Sequence, residues 1–139
     1  MNKILVALLL LFPLLRFPGQ SSSSQVARET PLITKHLPDI PGKEGLIETV
    51  LLSPGEVVPA HRHEADVFAY VLKGNVINQV KGSKPETVHA GGVFYESPTE
   101  VHIASRNASQ TEPAELLVFF VKKIGAPATT VLPTGGAPH

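Results

Sequence analysis

From Leu46 to Lys122 no stretch keeps apolar residues at the i, i+3, i+4, i+7 spacing for three turns, so helix is scarce where the chain is most apolar. The segment is instead a series of short β-branched and aromatic runs: Leu46 to Leu52, Val67 to Leu72, Val76 to Val80, Thr87 to His89, Val93 to Glu96, Val101 to Ser105 and Leu116 to Lys122. Ser53-Pro54-Gly55, Lys73-Gly74-Asn75, Lys81-Gly82-Ser83 and Ala90-Gly91-Gly92 supply the turns between them. An earlier, proline-flanked strand carries His36. Strands so evenly spaced within 139 residues predict one all-β domain, a sandwich or a small barrel.

Two of the runs, Val67 to Leu72 and Leu116 to Val121, are apolar on both faces, whereas a strand with one wet face alternates. Either another segment covers their outer side or a second subunit does; the second option predicts a homodimer, and an isolated subunit would expose Phe68, Tyr70 and Leu72.

The ends differ from the middle. Lys3, the apolar run Ile4 to Leu15 and Arg16 have the architecture of a signal peptide, and the run is shorter than the roughly 20 apolar residues that span a bilayer. Residues 1–21 are therefore expected to be a signal peptide, 22–30 a Ser-rich linker, 31–124 the folded domain and 125–139 a flexible Pro/Gly-rich tail. The protein is expected to be exported, periplasmic or secreted, with no membrane association once the signal is removed. Lys and Arg together number 12 and so do Asp and Glu, with no basic cluster, which argues against nucleic acid as a partner. The absence of Cys excludes disulfides, iron–sulfur clusters and thiolate metal sites, so any metal must be held by His or carboxylate.

Six His are present, and His61 and His63, two apart on a strand, project from one face. With His102 from a later strand they would form a facial set of three imidazoles with open positions for substrate, water or dioxygen. Three His in a chain of this size also arise by composition alone, and spacing does not choose between the two. His36, His89 and His139 fall where exposure is expected.

The surrounding residues resemble the cupin family. Gly55 to Gly74 is similar to its first motif, G-x5-H-x-H-x3-E-x6-G, at every defined position but the acid, where Val67 stands. Gly91 to His102 is similar to the second, G-x5-P-x-G-x2-H-x3-N; Ser97 and Thr99 replace its Pro and Gly, while Pro98 and Asn107 come one position late. Phe94-Tyr95-Glu96 and Ser105 to Ser109 resemble small single-domain bacterial cupins likened to quercetin dioxygenase. The resemblance implies a double-stranded β-helix barrel of two antiparallel sheets, a divalent transition metal inside it (Fe, Mn, Ni, Cu or Zn) and a dimer.

Val67 cannot bind a metal, and Asp66 faces away from it on a regular strand, so a three-His site is expected, neutral in its ligands and suited to anionic substrates. The same loss of Glu is also what a decayed site would show. Tyr95 and Glu96 occupy alternating faces; whichever points inward is a candidate acid–base or supporting residue. Three functions follow from the resemblance: a metal-dependent, dioxygenase-like oxidoreductase acting on a small oxygenated or aromatic molecule, a metal-dependent isomerase or lyase, or a non-catalytic module that binds a small ligand.

Overall fold

The computed structural model describes residues 27–133. The expected signal peptide, most of the Ser-rich linker and His139 lie outside them.

Eleven strands and no helix make up the described residues: β1 (Arg28–His36), β2 (Lys43–Leu52), β3 (Val57–Val58), β4 (His61–Arg62), β5 (Ala65–Lys73), β6 (Asn75–Val80), β7 (Glu86–His89), β8 (Val93–Glu96), β9 (His102–Asn107), β10 (Ala114–Lys123) and β11 (Thr130–Val131). One sheet has the order β1-β2-β10-β5-β8. The other runs β11-β4-β9-β6-β7, with β3 also pairing β9. Every pairing is antiparallel. This is the two-sheet barrel that the strand spacing and the motif resemblance predict.

Alternation along the long strands explains why the sheets face each other. On β10, Ala114, Leu116, Val118 and Phe120 point inward; on β5, Ala65, Val67, Ala69 and Val71 do the same, and these residues form most of the core. Period-2 patterning puts such a set on one side of the pleat, and burying it against the second sheet drives the closure. The chain changes sheets between β5 and β6 at Gly74. Its φ is +76°, and a Cβ there would lie 2.9 Å from Ala114 Cβ and from the Pro113 carbonyl, so a side chain is excluded by conformation and by space.

The displaced Asn107 of the second motif has a structural use. Its amide nitrogen donates to the carbonyls of Ser53 (3.1 Å) and Glu112 (2.7 Å), while its oxygen accepts from the Ser109 backbone N–H (2.9 Å). A fully buried amide satisfied in this way ties the turn after β2 to the loop before β10.

Beyond the expected domain end at residue 124, the chain does not leave the barrel at once. Lys122, buried beside Glu44, also donates to the Ala126 carbonyl at 2.7 Å. Thr130 and Val131 then pair with Arg62 and His61, and the Leu132 N–H donates to the Ala60 carbonyl. Residues 126–132 thus form a strap across β4, a finding that Pro/Gly-rich composition did not anticipate.

Candidate metal centre

β4 and β9 place two of the histidines directly opposite each other, His61 against His102. His63 follows at the corner between β4 and β5, where the chain passes from one sheet to the other. The three rings cluster with centroids 5.0 to 5.7 Å apart, all three residues at most 5% exposed. The structure therefore brings together the three imidazoles that the sequence put forward. His89 remains outside, exposed and hydrogen-bonded to Asn75. His36 is exposed on β1.

Each ring is held through Nδ1. His61 Nδ1 donates to the Pro59 carbonyl at 2.8 Å, and His63 Nδ1 to the Ala128 carbonyl on the C-terminal strap at 2.9 Å. A carbonyl oxygen only accepts, so both Nδ1 atoms carry hydrogen and the Nε2 atoms are left for the chemistry of the cluster. His102 Nδ1 lies 3.3 Å from Asn78 Oδ1 and 3.2 Å from Glu96 Oε1, and its Nε2 is buried with no partner at all. An oriented Nδ1 with Nε2 turned into the cluster is the arrangement that metal-binding histidines adopt, because the outer hydrogen bond fixes both tautomer and ring direction.

Of the two residues at alternating positions on β8, Glu96 points in and Tyr95 points out. Tyr95 is half exposed and donates to Asp66 at 2.6 Å on the outer surface, so the structure does not bring it to the histidines. Glu96 is 5% exposed. Its Oε2 is 3.0 Å from His63 Nε2, and Oε1 also accepts from Asn78 Nδ2 at 3.1 Å.

Electrostatics divide the cluster. Burial alone would raise Glu96, yet the His63 hydrogen bond and the neighbouring rings hold it below the ordinary carboxylate value. Burial pushes His61 and His102 below their ordinary value; it acts on His63 too, but Glu96 and the Ala128 carbonyl outweigh it and raise that ring. Among the described residues no three His, Cys, Asp or Glu side chains stand in a geometry that could hold a metal ion. Glu96 ion-pairs with His63 and His102 instead. The donor set nevertheless suits a divalent transition ion: three oriented imidazoles, one buried carboxylate and an orphaned imidazole nitrogen that a metal would satisfy.

The site opens on a cavity of about 80 Å³ lined mainly by apolar groups, with His61, His63, Glu96, Glu48 and Glu29 as its ionisable members. That is room for a few waters or one small molecule. Glu48 was missed in the sequence, although the signal was there: on β2 it shares the inward parity of Leu46 and Leu52. It is 3% exposed, one of its carboxyl oxygens has no partner, and burial reinforced by Glu29 pushes its pKa up to about 7. Asn78 and the Ala128 carbonyl could not have been found, since their roles depend on contacts between distant parts of the chain.

The sequence model described as a cupin domain matches residues 48–120. A search of curated protein sequences found no similar chain. Solved structures with the same fold include the DMSP lyase DddQ from Ruegeria pomeroyi DSS-3, 22% identical with a TM-score of 0.57 over 66% of this chain and 45% of that one. TT1209 from Thermus thermophilus is 26% identical, with a TM-score of 0.55 over 70% and 84%. A recombinant oxalate oxidase in complex with glycolate is 23% identical, with a TM-score of 0.59 over 81% and 58%. The chain spans less than half of DddQ and under two thirds of the oxalate oxidase.

Proposed function

This chain belongs to the cupin family, and from that premise we propose that it is an exported, metal-dependent enzyme that oxidises a small oxygenated molecule in a dioxygenase-like reaction. His61, His63 and His102 hold the ion. The observation that carries the proposal is the set of three buried rings, each anchored at Nδ1, with the Nε2 of His102 left unpartnered. A bound divalent transition metal supplies open positions for substrate and dioxygen and polarises the oxygens it holds.

The protein's own residues do the rest. Val67, Ala69, Val118 and Phe120 line the cavity with apolar groups, which strengthen the interaction of charges inside it. The cavity's small volume favours a small oxyacid or hydroxyacid over a large aromatic. The solved relatives include a lyase for DMSP and an oxidase for oxalate, both small molecules.

A second reading, a metal-assisted lyase or isomerase, is favoured by Glu48. A buried carboxyl in the cavity that titrates at about 7 is suited to taking a proton from a substrate and returning it. Dioxygen consumption by the reconstituted protein over a panel of small oxyacids separates the two: uptake supports oxidation, and turnover without uptake supports proton transfer. Metal-loaded protein that binds such molecules and converts none of them would leave a binding module.

Export and dimerisation complete the proposal. Export rests on residues 1–21, and dimerisation on the exposed outer-face residues Phe68, Tyr70 and Tyr95.

A further inference from the structure

We propose that Glu96 replaces, from the neighbouring strand, the carboxylate that the first motif lacks at Val67, and that it serves as a fourth ligand beside His61, His63 and His102. The inference rests on the proposed metal site and adds a residue to it that the motif does not contain.

Val67 is 1% exposed and faces the barrel interior from β5, where a glutamate would reach the histidines. In the β5–β8 ladder its partner is Glu96. Residues directly opposite in an antiparallel pair project to the same face with Cβ atoms roughly 5 Å apart, a gap that a glutamate side chain spans. The carboxylate is therefore displaced by one strand while its destination stays the same.

The contact with His63 agrees with that destination: Glu96 Oε2 lies 3.0 Å from His63 Nε2. Oε1, 3.2 Å from His102 Nδ1, meets that ring on the side away from its unpartnered Nε2 and orients it. Two donor atoms each about 2.1 Å from one ion and at right angles are about 3.0 Å apart, so the Glu96–His63 spacing is that of neighbouring ligands. Asn78 Nδ2, at 3.1 Å, holds the other carboxylate oxygen. A buried carboxylate is costly unless a cation or several donors compensate it, and Glu96 has both an imidazole edge and an amide directed at it. The consequence is a site with one negative ligand, in contrast to the neutral three-His set that the motif alone implies. The metal then keeps a single net positive charge, and a small monoanion suffices to neutralise it.

Mn²⁺ titration of the metal-free full chain tests the proposal, with four variants beside the wild type. Glu96→Gln keeps a carbonyl that can accept from His102 Nδ1 and loses only the charged ligand oxygen. It should weaken Mn²⁺ binding at least about tenfold. Glu96→Val should do the same, and Val67→Glu combined with Glu96→Val should restore affinity to within about threefold of wild type, because the carboxylate returns to the cavity from the other strand. Circular dichroism and thermal melting verify that each variant is folded; if the exchanged pair does not fold, Glu96→Gln decides alone. Wild-type affinity in Glu96→Gln would overturn the assignment. So would a folded exchange variant as weak as Glu96→Val. His61→Ala provides the separate control: if the wild type binds Mn²⁺ and His61→Ala does not, the histidine site stands whatever Glu96 does, whereas equal binding by both would remove the site and the fourth ligand together.

Discussion

Glu48 is buried on β2 with an unpartnered carboxyl oxygen, so its ionisation costs the folded state free energy that the unfolded chain does not incur. Its pKa of about 7 lies above the ordinary 4.5, with Glu29 on β1 raising it and His63 opposing. Between those values the folded protein holds a proton that the unfolded chain has released. Stability is therefore expected to fall as pH rises from about 4.5 through 7, by about 1–3 kcal/mol for this group. Chemical denaturation of Glu48→Gln against wild type measures it: the variant should gain stability at pH 8 and match wild type near pH 4.5. Val67→Glu has a different expected signature. A second carboxylate directly across from Glu96 should lower the melting temperature of the metal-free protein by at least about 5 °C, with the loss recovered on metal addition. An unchanged melting curve would mean that residue 67 does not face the site. The histidines were legible in the sequence because the His-x-His spacing is local, although the strand that carries His61 ends at Arg62 and it is the corner after it that turns His63 toward the other rings. Glu96 was legible only as one of a pair with Tyr95, since choosing between them requires the register that sets Val67 against Glu96.

The elements that the sequence left without bounds, or hid, are those without a pattern of their own. The early strand expected to carry His36 is β1; it is exposed along all nine residues, with Pro31 and a register shift in its pairing with β2, so neither face shows alternation that would set its limits. β3, β4 and β11 are two residues each, too short for any period. Yet β11 and the strap around it bear on the site: Ala128 anchors His63, and Val131 pairs with His61. Ending the chain after Gly125 removes none of the proposed ligands, and it is nevertheless expected to weaken metal binding about 10- to 100-fold, the cost of losing the groups that orient a ligand. The same Mn²⁺ titration checks this. Wild-type affinity in the shortened chain would show that the Pro59 and Asn78 contacts suffice.

At the scale of the whole molecule, the outer face of the β1-β2-β10-β5-β8 sheet is apolar, and none of the described residues covers it. Phe68 and Phe119 are register partners, so both project outward; their rings stack at 6.3 Å, and Tyr95 lies 5.2 Å from Phe68. Phe68 is 51% and Tyr70 43% exposed, a contiguous patch of the kind that marks an interface. Light scattering is expected to give twice the mass of the chain, and Phe68→Glu to give a monomer; a wild-type monomer at micromolar concentration would count against the dimer. Whatever covers that face, the proposed chemistry belongs to the barrel's interior, where one metal ion is expected on three histidines. Metal content after reconstitution tests this most directly, measured by elemental analysis on wild type, His102→Ala and His36→Ala. One divalent ion per chain is expected for wild type and His36→Ala, with most of it lost from His102→Ala. Full occupancy in folded His102→Ala would contradict the assignment.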